Sequence, residues 1–154
     1  MAKLTLAQAS AILDAALAEG RRQEFMPLTV AVLDAGGHLV ALKREDGSGI
    51  LRAQIATGKA WGALGMGISS RTIRDRLIDR PHFLAALSVA AEGRFVPVPG
   101  GVLIRDAEGG IVGAVGISGD TSERDEYAAI TAIAAAGLTP DPAAPDAAWQ
   151  TSRL

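Results

Sequence analysis

Lys59 is the only charged residue between Arg52 and Arg71, and it is flanked by Gly58, Ala60, Trp61 and Gly62. A lysine isolated on a small-residue helix can hold the carboxylate of a substrate or cofactor, or act as a base if it is desolvated; the competing account has its stem running past Trp61 so that the ammonium reaches water. Further along, Asp120, Glu123, Asp125 and Glu126 crowd the start of a helical pattern. Asp125 or Glu126 could carry a proton for a reaction anchored by Lys59, and the cluster as a whole could take a hard cation. Helix capping accounts for these acids without any ion, so no metal site is assigned.

The other chemically suggestive residues are histidines and glycines. His38 falls at a hairpin turn and His82 beside Pro81 at a helix start. Either imidazole could serve as an axial iron ligand, against the simpler reading of a solvated surface histidine. Gly100, Gly101, Gly116 and Gly119, with Ser118 among them, leave main chain uncovered, which lets amides reach an anion or only forms tight turns. A phosphate cradle is not expected, since no Gly-x-x-x-x-Gly-Lys-Ser/Thr occurs and acids already occupy the helix start. Nucleophile elbow, zinc-protease helix and dinucleotide fingerprint are also missing, and the lack of cysteine rules out disulfides, thiolate metal sites and a thiol nucleophile.

The elements that must position these residues follow from periodicity and turn chemistry. Thr5 and Gln8 form a capping-box pattern ahead of Leu6, Ala9, Leu13, Ala16 and Leu17, a helix that ends near Gly20. Aliphatic and β-branched residues flank Asp34-Ala35-Gly36-Gly37, giving a hairpin over 28–43, and nearly the same wording recurs at Asp106-Ala107-Glu108-Gly109-Gly110 inside a second hairpin over 102–117. Between them the spacing predicts a helix over 51–67. Each internal glycine costs it roughly 1 kcal/mol against alanine, so its small face should meet something closely packed. Ser70 is read as the cap of a helix over 71–79 on which Arg71 pairs with Asp75, and a further helix covers 82–92. Residues 95–99 are extended, with prolines suited to a sheet edge. Asp120 with Glu123, or Ser122 with Asp125, caps the last helix, which runs to Gly137.

The result is an α+β fold in α-β-β-α-α-β-β-α order: an antiparallel sheet of two hairpins flanked by helices. The 154 residues make one domain over 1–138, followed by a proline-rich extended tail over 139–154 that docks through Trp149 or stays mobile. Half of the residues are apolar (49%) but only 4% are aromatic, so the core must be built from Ala, Val, Leu and Ile. A net charge of −2 without a basic face speaks against nucleic acid. No stretch approaches the about 18 uninterrupted apolar residues of a membrane span, and the start of the chain lacks a leader's apolar run, so a cytoplasmic protein is expected.

Several segments taken together carry a family likeness: Val30-Ala31-Val32-Leu33-Asp34-Ala35-Gly36-Gly37-His38-Leu39-Val40-Ala41-Leu42, then Ile55-Ala56-Thr57-Gly58-Lys59-Ala60, then Gly100-Gly101-Val102, and Ile111 to Gly119 with Asp125-Glu126. This set resembles the GlcG/HbpS haem-binding family, which includes the C-terminal domain of some corrinoid adenosyltransferases, from about Leu4 to Leu138. The resemblance implies a small-molecule-binding homo-oligomer with haem as the leading ligand. Its pocket is expected between Lys59 and the Gly100-Gly101 and Ser118-Gly119 turns, with His38 and His82 as candidate iron ligands. The alternatives are an enzyme on a small organic acid using Lys59, Asp125 and Glu126, and a non-catalytic assembly module.

Overall fold

The computed structural model describes residues 2–154. Helix α1 (Leu6–Arg22) leads into the hairpin β1 (Thr29–Asp34) and β2 (Leu39–Arg44), then α2 (Arg52–Met66), α3 (Ser70–Leu77) and α4 (Pro81–Ala90). The second hairpin, β3 (Gly101–Arg105) and β4 (Ile111–Ser118), is followed by α5 (Ser122–Ala135), β5 (Thr139–Asp141) and a 3-10 turn over Trp149–Thr151. The strands form one antiparallel sheet in the order β2-β1-β4-β3-β5. The α+β architecture of hairpins flanked by helices is therefore present, with a fifth strand that the proline-rich composition of the tail concealed.

The repeated turn wording has a single physical cause. Asp34 Oδ1 accepts from the Gly36 and His38 amides at 2.9 and 3.0 Å, and Asp106 Oδ1 accepts from Glu108 and Gly110 at 3.0 and 2.8 Å. In each turn the fourth residue, Gly37 or Gly109, takes positive φ (82° and 86°), which glycine adopts without a Cβ penalty. Because β1 pairs with β4 so that Asp34 opposes Gly113, both turns lie side by side at one end of the sheet.

Strand alternation divides the core into two layers. Val30, Val32, Val102, Ile104, Val115 and Ile117 face α1 and α5, packing on Ile12, Leu13 and Ile133. Leu33, Leu103 and Ala114 face α2 through Ala60 and Ala63. This second interface is thin because the sheet is bare there: a Cβ on Gly116 would run into the Ala56 carbonyl, and one on Gly101 into the Lys59 carbonyl. The glycines of α2 serve its other side. Gly58 receives Val96 and Gly62 receives Phe95, so residues 95–99 form an irregular strap over the helix and join no strand.

Three caps and pairings differ from the sequence reading. Ser69, one residue earlier than expected, caps α3 by accepting from the Thr72 amide, and Thr121 caps α5 by accepting from Arg124. Arg71 turns inward to Glu126, while Asp75 is taken by Arg74. The capping box at Thr5 and Gln8 is complete. Beyond α5 the chain is held by Trp149, which stacks on Tyr127 with centroids 3.7 Å apart and meets Phe25 edge-on. No helix of the described residues is long and apolar enough to cross a membrane.

Candidate functional site

The sequence-derived site residues separate onto different parts of the fold. Lys59, Gly100, Gly101, Ser118, Gly119 and Asp125 gather at the end of the sheet where β4 finishes and β3 begins. His38 is at the opposite end, about 17 Å away along the strands at about 3.4 Å per residue. His82 lies exposed on α4, outside the sheet altogether.

At the first end, Lys59 leaves α2 and passes through the gap that Gly100 opens. A Cβ on Gly100, whose φ is 123°, would come within 2.9 Å of Lys59 Cδ and Nζ. Lys59 is 2% exposed, and its ammonium donates to the Ile117 carbonyl at 2.8 Å and to Asp125 Oδ2 at 3.1 Å. Asp125 Oδ1 accepts from the Asp120 amide at 3.0 Å. The lysine does not reach solvent, contrary to the snorkelling alternative. Burial drives both members of the pair toward neutrality: Asp125 is pushed up to about 6 and Lys59 is lowered, each opposed by its partner's charge. Ser70, freed from capping, accepts from the Gly101 amide at 2.7 Å, and Arg52 donates to Ser118 Oγ at 3.0 Å. Gly119 is closed off by Pro27 and Leu28.

Glu126, the next residue of α5, is fully buried with Arg71 Nε 3.1 Å from Oε2, and its carboxyl is pushed up to about 7 by burial against the opposing Arg71 charge. Sequence reasoning missed Arg71 because its partner lies on a helix 55 positions along the chain, with no local spacing to show it.

At the second end, the two hairpin turns and the start of the chain enclose a cavity of about 440 Å³. Leu4, Ile111 and Val112 form apolar wall, and Lys3 and His38 stand at its polar side. His38 Nδ1 lies 3.2 Å from Asp34 Oδ1, a contact that leaves the other ring nitrogen, Nε2, for a further partner. Among the described residues, no three His, Asp or Glu side chains converge as a metal-ligand set.

Two expected outcomes follow from the buried charges. Lys59→Met leaves Asp125 buried without a counter-charge and should lose about 3–5 kcal/mol in urea unfolding, most of it recovered in Lys59→Met/Asp125→Asn. A double variant as unstable as the single one would show that the pair does not act as a unit. Glu126 has a folded pKa above its unfolded value, so the native state binds more protons between about 4.5 and about 7 and its stability contribution is lost as pH rises through that window. Glu126→Gln should therefore gain on the wild type from pH 5 to pH 8, by up to about 3 kcal/mol for a shift of this size. Parallel stability profiles for the two proteins would refute that assignment.

Known proteins share this fold. The crystal structure of a PduOC:heme complex superimposes with a TM-score of 0.80 at 27% identity, covering 89% of this chain and 97% of that one. The Klebsiella pneumoniae protein ORFY gives 0.80 at 25% identity, covering 89% and 93%. HbpS, at 24% identity and a TM-score of 0.75 over 88% of this chain and 91% of that one, shares the fold. Corrinoid adenosyltransferase PduO of Salmonella typhimurium is 32% identical over 121 residues, 78% of this chain but 35% of that protein, so the chain spans about a third of that relative. A 15.0 kDa protein of Citrobacter freundii is 29% identical over 133 residues, 86% of this chain and 92% of its own length. The model of the haem-degrading HbpS-like proteins matches residues 4–134, and this chain belongs to that family.

Proposed function

We propose that the protein binds haem in the cavity at the hairpin turns, with His38 as the iron ligand. The observation that carries this reading is the Asp34–His38 pair at the edge of an apolar cavity. An imidazole that bonds a carboxylate through Nδ1 has its tautomer and orientation set, which leaves the Nε2 lone pair for iron. Leu4, Ile111 and Val112 offer apolar surface to a macrocycle, and Lys3, which also lines the cavity, offers a cation to a propionate. The likeness to the PduOC:heme complex supports the same ligand class. Haem, when bound, supplies a redox-active iron; the chain's own residues hold the ring, orient the imidazole and exclude water from the apolar side.

In this reading Lys59, Asp125 and Glu126 fix the far end of the sheet and do not touch the ligand. A small organic acid at Lys59 would have to displace a buried carboxylate from an amine that is closed to solvent. The reading is tested by titrating haemin and following the Soret band. The wild type should give a saturable shift that His38→Ala abolishes and His82→Ala leaves intact. If His38→Ala titrates like the wild type, His38 is not the ligand.

Self-association belongs to the same proposal. Helix α4 buries none of its residues and carries no Lys, Arg, Asp or Glu, and Val89 is 80% and Phe83 39% exposed. An apolar helix so placed is suited to a second copy of the chain. Sedimentation should show an oligomer that Val89→Asp/Phe83→Asp converts to monomer; a monomeric wild type at micromolar concentration would dismiss the idea.

A further inference from the structure

We propose that the groove on the outer face of α2 is a second ligand site, which takes a small planar carboxylate against Trp61 and Arg94. The groove encloses about 310 Å³ between Gln54, Thr57, Gly58 and Trp61 of the helix and the turn Glu92–Arg94. It shares no lining residue with the cavity at His38. Ligand pockets run from roughly 300 to 1,000 Å³, so this one suits a single or fused ring.

Three features make the groove a built arrangement. Glu92 and Gly93 take successive left-handed conformations, with φ of 54° and 77°, and glutamate adopts that region only at a conformational cost. The turn is held by the Gly93 amide on Ser88 and the Arg94 amide on Ala91. Immediately after it, Val96 and Phe95 seat against Gly58 and Gly62, where a Cβ would come within 2.6 and 2.8 Å of them. The chain direction is thereby locked, and the Arg94 guanidinium comes to rest 4.1 Å from the Trp61 ring centroid, with its Nε donating to the Ala91 carbonyl.

A guanidinium lying on an indole is a flat cationic platform whose remaining N–H groups point outward in its own plane. Among the described residues it pairs with no carboxylate, although Glu92 also lines the groove. Those N–H groups match a carboxylate in a bidentate pair, and a conjugated ring on that carboxylate can continue over the apolar floor. Thr57 and Gln54 supply neutral hydrogen-bonding groups along the helix side.

Trp61 and Trp149 are the two tryptophans, so a Trp149→Phe background leaves Trp61 as the sole indole reporter. Titrated with benzoate, that protein should show saturable fluorescence quenching. Benzamide, and benzoate with Arg94→Gln added, should bind at least about tenfold more weakly, the size of one lost charge-assisted contact. His38→Ala should leave benzoate binding unchanged, which separates this site from the haem reading. Arg94 is exposed, so its variant should melt with the parent by circular dichroism. Absence of saturable quenching at millimolar benzoate, equal affinity for benzamide, or an Arg94→Gln variant that binds like its parent would each overturn the proposal.

Discussion

Accommodating one buried ammonium organises much of this molecule. A charged amine cannot be taken out of water unless its protons are answered and a counter-charge is close. For Lys59 the answers come from the end of β4, through the Ile117 carbonyl, and from the first turn of α5, through Asp125. The amine must therefore cross from the α2 side of the sheet to the α5 side. That crossing requires a residue without a side chain at position 100, and it fixes where β3 starts, where β4 stops and how α5 enters. Its energetic weight lies less in net stability than in the intolerance of alternatives, since any other docking of α2 strands a charge in the core.

The thin interface beneath α2 extends the same logic. Glycines at 101 and 116 bring helix backbone nearly onto strand backbone, so few side chains separate the layers. The opposite layer is thicker, with Ile12, Leu13, Leu28 and Ile133 filling the space between the sheet and the α1–α5 pair. With so few aromatic residues in the chain, none of the largest fully buried side chains is aromatic. Among the described residues the close aromatic grouping is that of buried Phe25 with half-buried Tyr127 and Trp149, which flanks this layer and holds the last residues in place.

The hairpins, the first cap and the helix over 51–67 were legible because their signals are local: an aspartate that closes its own turn, a threonine and glutamine that cap each other, apolar residues at helical spacing. The absence of Cβ atoms at 100, 101 and 116 was equally visible. The sequence also set Lys59 beside the turns at 100–101 and 118–119; what it could not show is that α2 and its lysine themselves fill the space where a ligand pocket was expected. Ser69 and Ser70 are adjacent and chemically identical, so only the structure assigns the cap to one and the Gly101 amide to the other. The cavity at His38 was hidden for a similar reason, since one wall comes from residues 2–4 and another from the second hairpin, both distant in sequence. Strand β5 went unseen because three residues with a central proline carry almost no strand signal.

Both borders of the sheet are poor templates for growth. On one side β2 shows solvent Lys43 and Arg44; on the other β5 is three residues long and Pro140 has no amide hydrogen to offer. Charge, brevity and a missing donor are the means by which β-proteins discourage strand-to-strand polymerisation. Extension of the ladder by a second chain is thereby disfavoured at both borders of the sheet.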